Sequence, residues 1–457
     1  MANVLVCFSS HIFIDGKFKL ISYYEGFINE LVKEGNNVLA INCAEFLTNS
    51  WNSNNQESSF IKTKKLRDSV SRFNPDLVIT FNNVKPSFIE DVVSCPIAIW
   101  EADSFNFYND KNIISKTPNK YHYFCLSNNA KEKILSIGAK AHNVHMINSG
   151  TSVKNINIEK KHNISFIGSN FKGCRGLKEL LGKENSNDVK SVVSYLSKNF
   201  YVDPENYLAK ENKLYILDYI KPEEFGMIDS AQSRISTLNI LTELGLTLFG
   251  SKSWLDTYET CPALAMAFDP TPIYSLQHNE NVYNSSNICL NVSHAQSVDG
   301  FSWRIMDIMA SNGVLLSSYN KGIERFTKGF VNIPMFRSSG EAYDIARKLL
   351  KDDAYRKDII DASNECIESK GRWHHRLDEI YQAIGVNLRN NESGNLTILN
   401  RDQYISQQYY LYSSFISKLA FCFPKSSRKS LYYLANKIGF KIDYQMVKSI
   451  MDKSEDV

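Results

Sequence analysis

The sequence lacks the features that mark several common classes of protein. Its 457 residues carry 52 Lys and Arg against 49 Asp and Glu, and a net charge of +3 leaves no footprint for bulk nucleic-acid binding. No run reaches the roughly 18 apolar residues that a membrane-spanning helix needs, and no basic region precedes the apolar start as in a signal peptide. With 43% apolar and 22% charged residues, a disordered chain and a coiled-coil rod are excluded.

The cysteines indicate neither a disulfide framework nor a zinc ribbon. Their number, nine, is odd, and no C-x-x-C motif occurs. Cys7 and Cys289, for example, stand in apolar strand-like runs, where we expect small buried side chains. This usage is typical of a reducing compartment, so we expect a cytoplasmic protein without a metal site.

Short apolar runs alternate with helical patterns in the first third of the chain. Residues 3–8 and 38–42 are predicted strands, and residues 20–34 between them have apolar side chains at helical spacing. We expect a loop over residues 9–18. Because strand, helix and strand recur in this order, the pattern predicts one doubly wound, Rossmann-like α/β domain over residues 1–150.

A second α/β series follows a polar stretch. Residues 151–163 have the composition of a linker, and ISFIGS at 164–169 begins the new series of strands and helices. We expect a second Rossmann-like domain over residues 151–386. Two such domains make the cleft between them the default ligand site.

The positive excess lies at the end of the chain. Residues 387–457 hold ten basic and six acidic residues, and residues 401–441 hold seven basic residues, one acid and ten Tyr or Phe. Aromatic residues interleaved with Lys and Arg fit an interfacial helix on an anionic membrane surface. The alternative is a helical hairpin packed on the body or on a partner subunit. We therefore expect a basic, aromatic, helical extension.

The segment 287–326 is the most informative part of the sequence. A loop with glycine, residues 297–301, opens a predicted helix, and helix N-termini attract phosphate. Arg304 falls in the first turn of that helix, where the helix dipole disfavours a cation unless an anion is bound. Asp299 and Asp307 are eight residues apart, and such carboxylates suit the hydroxyl pair of a ribose or sugar.

This segment resembles the nucleotide-sugar signature of the glycosyl transferases group 1 superfamily. In that family Glu-Gly-Phe begins a loop and a second Glu follows eight residues later. This chain has Asp299-Gly300-Phe301 and then Asp307, so both acids are Asp. The presence of Arg304 inside this motif resembles the motif of the CgeB-like branch of the superfamily.

Other pieces of the sequence resemble the same branch in order and spacing. They are Gly168-Ser169 followed by Arg175, Gly250 followed by Lys252 and Trp254, Pro96 to Trp100 followed by Asp103, and the closing Arg372 to Arg376. The resemblance covers about residues 160–380 strongly. It implies the GT-B fold, in which two Rossmann-like domains face a cleft, and metal-independent glycosyl transfer without a cofactor.

The resemblance and the motif geometry together nominate a donor site. Asp307 is expected to contact a ribose, or else to be a helix-surface acid. Arg304 is expected to clamp a phosphate, or else to form a surface ion pair. Asp299 is expected to contact the sugar, to cap a helix, or to do both. The full expected donor set is Gly168, Ser169, Arg175, Gly250, Lys252, His294, Asp299, Gly300, Arg304 and Asp307.

The acceptor side is expected in the first domain. Inverting transfer needs a general base near the acceptor hydroxyl, usually a carboxylate or a histidine. Glu101 and Asp103 follow a strand end that should face the cleft, and His11 follows the first strand. These three residues are the candidate catalytic groups.

The expected function is sugar transfer from a nucleotide sugar to a hydroxyl of a glycan. A lipid-linked glycan of lipopolysaccharide or surface polysaccharide synthesis would suit the basic tail, at the inner face of the cell membrane. The alternatives are a transferase for a CMP-activated ulosonic acid such as Kdo, and a non-catalytic nucleotide-sugar-binding scaffold. An epimerase of the same fold is less favoured.

Overall fold

Seven strands form one parallel sheet in the first half of the molecule. Their order is β14-β4-β1-β5-β6-β7-β8, and every neighbouring pair is parallel. The strands are β1 (Asn3–Phe8), β4 (Asn37–Asn42), β5 (Leu77–Phe81), β6 (Ile97–Trp100), β7 (Tyr121–Cys125), β8 (Val144–Met146) and β14 (Leu396–Leu399).

The coordinates are a computed structural model. It describes residues 1–14, 17–43, 60–103, 108, 111–116, 119–171, 186–198, 204–218, 222–294 and 299–399, with residues 427, 430, 433, 434 and 437. Of the predicted tail segment 401–441, all but these five residues therefore lies outside the described chain. No described helix is long and apolar enough to cross a membrane.

Both faces of the first sheet are covered. Val4, Val6 and Phe8 of β1 point into one apolar core, while Leu5 and Cys7 point into a second core on the other face. Side chains alternate across a strand, so a strand that is apolar throughout must be buried on both sides. The doubly wound α/β class expected from the sequence is confirmed.

A β-hairpin replaces the loop expected after the first strand. β2 (His11–Ile14) pairs antiparallel with β3 (Lys17–Leu20). The expectation of a loop was wrong because each strand has only four residues, too few for a clear period-two pattern. The signal was nevertheless in the sequence, since Asp-Gly between two such runs is typical of a hairpin turn.

A second parallel sheet has five strands in the order β10-β9-β11-β12-β13. They are β9 (His162–Gly168), β10 (Leu246–Gly250), β11 (Ser286–Asn291), β12 (Val314–Ser318) and β13 (Met335–Phe336). The strand order reverses between β1 and β5 in the first sheet and between β9 and β11 in the second. In open α/β sheets, ligands bind outside the carboxyl ends of the strands at such a switch point.

Helices cover both sheets. They are α1 (Ser22–Lys33), α2 (Phe60–Phe73), α3 (Ile89–Val92), α4 (Asn128–Ser136), α5 (Ser186–Lys198), α6 (Pro204–Lys210), α7 (Pro222–Leu241), α8 (Pro262–Met266), α9 (Leu276–Asn284), α10 (Arg304–Met309), α11 (Lys321–Thr327), α12 (Ser339–Lys351), α13 (Asp353–Lys370) and α14 (Trp373–Ile384). Side-chain caps fix several starts. The hydroxyls of Ser127 and Ser338, for example, accept backbone N–H groups of α4 and α12.

The chain returns to the first sheet after it has built the second. Trp373 and Leu377 of α14 lie in the core of the first sheet, and β14 pairs with β4 at its edge. Residues 396–399 were expected to belong to a helical extension that begins at 387, and this part of the prediction was wrong. A four-residue strand carries almost no pattern of its own, and its conformation is set by the edge of β4.

An aromatic cluster joins the two halves of the molecule. Trp303, which belongs to the motif of the second half, packs against Trp100 and Trp373 with ring centroids 5.9 and 5.5 Å apart. Tyr23 and Phe81 of the first half lie 4.0 and 5.7 Å from the same indole. Large aromatic side chains dominate burial energies, so this cluster should fix how the two sheets face each other.

Truncating this cluster should destabilise the protein. We expect Trp373→Ala to lower the free energy of unfolding by about 3–5 kcal/mol, because a fully buried indole would leave a cavity. Urea unfolding followed by circular dichroism measures the change. Tyr355→Ala is the control, since Tyr355 is 48% exposed on α13. A loss below about 1 kcal/mol for Trp373→Ala would contradict the role of the cluster.

Candidate functional site

Two glycines end neighbouring strands at the edge of the second sheet. Gly168 of β9 and Gly250 of β10 are in register, and the indole N–H of Trp254 donates to the Gly168 carbonyl at 2.9 Å. Gly250 has a φ of +124°, and a Cβ there would lie 2.4 Å from the Gly168 oxygen. Only glycine fits this position, and its lack of a side chain lets the ends of β9 and β10 approach each other closely.

Arg304 spans the switch point of the second sheet. It is the first residue of α10, and its Nη1 donates to the Asn291 side-chain oxygen at 3.0 Å. Its Nη2 lies 3.5 Å from where a Cβ on Gly168 would stand. Within the described ranges, no carboxylate forms an ion pair with Arg304. The expected alternative of a surface ion pair is therefore not seen. The guanidinium group instead donates a hydrogen bond to the neutral side-chain amide of Asn291.

Arg234 is a residue that the sequence reasoning missed. It is only 4% exposed on α7, and it donates to the carbonyls of Ser169 at 2.8 Å and Val292 at 3.2 Å. Its guanidinium also lies over the Phe171 ring, 4.1 Å from the centroid. Arg234 thus ties together the chain segments that leave β9 and β11. The available signal was that Arg234 is the one basic residue in the 20-residue helix α7.

The other expected donor residues of the second domain differ in placement. His294 lies edge-on to Phe171 with centroids 4.8 Å apart, and burial, with the Arg234 charge, lowers its pKa to about 3. His294 is therefore a neutral imidazole at physiological pH. Lys252 is exposed at the start of a short 3-10 helix beside Gly250. Arg175 lies outside the described residues.

Asp299 caps a helix of the other domain. Its carboxylate accepts the backbone N–H of Asn128 at 3.1 and 3.2 Å and the Asn128 amide at 2.5 Å, at the start of α4. Gly300 follows, and a Cβ there would lie 2.5 Å from the Leu126 oxygen. A capping role was one expected alternative. The sequence did not show that the capped helix would belong to the other domain. The sugar contact of Asp299 stays a prediction.

Asp307 is buried between the two domains. Only 7% of it is exposed, and it accepts the hydroxyls of Thr151 at 2.6 Å and Ser22 at 3.2 Å. Burial raises the pKa of Asp307 to about 6, although the two hydroxyls and Arg304 favour the charged form. The alternative of a helix-surface acid is wrong. The predicted ribose contact stays a prediction, for a carboxylate that already has two protein partners.

The first-domain acids occupy different environments. Asp103 is exposed, yet desolvation of its carboxyl group raises its pKa, and the Asn82 side-chain N–H that it accepts at 3.1 Å lowers that pKa. Glu101 is 2% exposed and accepts the backbone N–H of Leu126 at 2.6 Å. Burial raises the pKa of Glu101 to about 8. A base must reach the acceptor hydroxyl, so the exposed Asp103 suits that role better than Glu101.

The last points concern His11 and a possible metal site. His11 begins β2, and its side chain lies outside the part of the chain that the structure describes. Among the described residues, no three His, Cys, Asp or Glu side chains are grouped to hold a metal ion.

Comparison with known proteins supports one class of activity. Residues 234–382 match a family model described as "Glycosyl transferase-like". The match covers about a third of the chain and includes Arg234, Lys252, Arg304 and Asp307. No curated protein matches the chain.

Several solved structures are distantly similar to the chain. Anabaena HepE in complex with UDP and glucose is 10% identical, with a TM-score of 0.44 over 84% of this chain and 100% of that chain. Sucrose-phosphate synthase from Thermosynechococcus elongatus is 10% identical, with a TM-score of 0.45 over 84% and 99%. The lipopolysaccharide outer core galactosyltransferase WaaB is 11% identical, with a TM-score of 0.39 over 84% and 99%. Similarity this weak does not indicate a substrate.

The buried Asp307 should make stability depend on pH. Its pKa rises from an ordinary 3.8 to about 6 on folding, so the folded state holds its proton more tightly. The free energy of unfolding is therefore lowered as the pH rises. This loss is absent below pH 4, is complete above about pH 6, and reaches about 3 kcal/mol.

Asp307→Asn removes this loss, because the amide does not ionise, and its oxygen can accept one hydroxyl while its NH2 group donates to the other. We expect the unfolding free energy of the variant, minus that of the wild type, to increase between pH 4 and pH 7.5 in urea titrations. Asp361→Asn is the control, since Asp361 is an exposed acid on α13. A difference that does not change with pH would refute the buried, charge-sensitive environment of Asp307.

Proposed function

We propose that the protein is a glycosyltransferase of the GT-B type that moves a sugar from a nucleotide-sugar donor to a hydroxyl of a glycan. The observation that carries this proposal is the Arg304 guanidinium. It lies at the carboxyl ends of β9 and β11, beside Gly168, and its hydrogen-bond partner is neutral. A cation so placed at a switch point suits the diphosphate of a nucleotide sugar.

The donor would bind to the second domain and the acceptor to the first. In an inverting reaction, the acceptor oxygen attacks the anomeric carbon while the bond from that carbon to the phosphate oxygen breaks. Asp103 would take the hydroxyl proton, and Arg304 and Lys252 would stabilise the charge on the departing diphosphate. We propose that these cationic side chains make a divalent ion unnecessary. Activity that persists in EDTA would support this point, and its loss would refute it.

We also propose an acceptor and a place of action. The aromatic and basic composition of residues 401–441 suits a lipid-linked glycan at an anionic membrane face, as in lipopolysaccharide or surface polysaccharide synthesis. The motif around Arg304 supports the CgeB-like branch. Because both motif acids are Asp, a CMP-activated ulosonic acid is the alternative donor. Binding of purified protein to vesicles with and without phosphatidylserine tests the membrane contact.

Loss of the Arg304 charge should weaken donor binding. We expect Arg304→Ala to reduce affinity for the nucleoside diphosphate about 10- to 100-fold, since a hydrogen bond to a charged group contributes about 1.5–3 kcal/mol. Thermal-shift screening with UDP, GDP, dTDP, CMP and their sugars identifies the nucleotide, and calorimetry gives the affinities. Arg347→Ala is the control, since that arginine is exposed on α12.

The outcomes separate the hypotheses. Unchanged nucleotide affinity in Arg304→Ala would refute the site. Nucleotide-sugar binding without hydrolysis or transfer to any glycan would favour the non-catalytic scaffold. Turnover of a donor, with loss of turnover in Arg304→Ala and not in Arg347→Ala, would establish the transferase.

A further inference from the structure

The carboxyl end of β5 carries an unusual backbone. Asn82 and Asn83 follow the strand directly, and both have positive φ angles, +50° and +58°. Both are also buried, at 8% and 1% exposure. Residues other than glycine adopt this region at a cost and persist there when the surroundings require it. The two residues lie at the switch point of the first sheet, where a ligand is expected.

The Asn82 side chain is fully used by the segment that follows β6. Its oxygen accepts the backbone N–H groups of Ala102 at 2.8 Å and Asp103 at 3.3 Å. Its amide nitrogen donates to the Asp103 carboxylate at 3.1 Å. One side chain thus holds both the backbone and the carboxylate of Asp103. Among the described residues, Asn82 is the one donor seen to that carboxylate.

The charge of Asp103 acts on helix α1. Asp103 is exposed, and its charge is felt by Tyr23 and Tyr24 of α1. The Tyr23 ring lies 4.0 Å from Trp303, the residue before Arg304. Tyr23 therefore has both the Asp103 charge and the motif residue Trp303 as neighbours.

We propose that Asn82 is a positioning residue, which holds the Asp103 carboxylate in the cleft for proton transfer from the acceptor hydroxyl. The inference rests on the proposed function, since it assigns the base of that reaction. An N–H donor favours the charged form of a carboxylate, so Asn82 would both aim Asp103 and oppose the rise of its pKa that burial causes. The Asn82 backbone strain is the cost of this geometry.

Asn82→Asp tests the proposal with minimal change of shape. The new carboxylate can still accept the N–H groups of Ala102 and Asp103, and Asp tolerates a positive φ. The substitution replaces the Asn82 N–H donor beside Asp103 by a negative charge. This charge should raise the pKa of Asp103 by on the order of one unit. Asn74→Asp is the matched control, because Asn74 has a φ of +48° at the opposite end of β5.

Two measurements read the result. Carbon-13 NMR of Asp-labelled protein, assigned with Asp103→Asn, gives the pKa of Asp103 without any donor. The pH profile of kcat/KM, with whichever of UDP-glucose, GDP-mannose and CMP-Kdo is turned over, gives the pKa of the base. Other titratable groups facing Asp103 are Glu101, Tyr23 and Tyr24, whose raised pKa values keep them protonated between pH 4 and 6.

We expect Asn82→Asp to move both the NMR pKa and the acidic limb of the profile upward by the same amount, with Asn74→Asp unchanged. A merely structural Asn82 would lower the melting temperature and leave both values in place, which would overturn the proposal. A shifted NMR pKa with an unshifted limb, or full activity in Asp103→Asn, would also overturn it. If the wild type turns over no donor, the proposed function fails, while the NMR pKa still decides whether Asn82 controls Asp103.

Discussion

The insertion of Trp303 into the core of the first sheet is the contact on which the arrangement of the molecule depends. Its indole packs among Tyr23, Phe81, Trp100 and Trp373, although its own helix belongs to the second sheet. Asp299 before it and Asp307 after it also form hydrogen bonds with residues of the first domain. The nine-residue segment 299–307 therefore contains the main contacts between the domains and also the expected donor motif.

The polar contacts of this segment explain why its two acids do not behave alike. Asp299 accepts N–H groups at the positive end of α4, a favourable position for a carboxylate. Asp307 accepts two hydroxyls in a buried place, and burial raises its pKa. Both carboxylates join the domains, so any contact with a donor would be coupled to the way in which the two sheets face each other.

Charge is distributed between the two sides of the cleft. Arg304 and Arg234 lie at the switch point of the second sheet, one beside Gly168 and one behind the segment that follows it. The first sheet presents the Asp103 carboxylate. This division suits a reaction in which one side stabilises a leaving phosphate and the other accepts a proton. A net charge of +3 for the whole chain conceals it.

Much of the fold could be predicted because long apolar runs and helix ends are local signals. The strand at residues 3–8 has the predicted bounds, and the strand predicted over residues 38–42 begins one residue earlier. β14 could not be found, since four residues take their conformation from the edge of β4. Arg234 was missed for a similar reason. Its role comes from two carbonyls that are distant in sequence.

The sequence by itself determined the two α/β series and the motif that contains Arg304, because strand burial, helix period and residue spacing are written locally. Only the tertiary structure decided what each motif residue touches. It buried Asp307 against Ser22 and Thr151, turned Asp299 into the cap of a distant helix, and set Asn82 against Asp103. These contacts join residues that are 21 to 285 positions apart. No local pattern specifies them, because they arise when two sheets and their loops pack together.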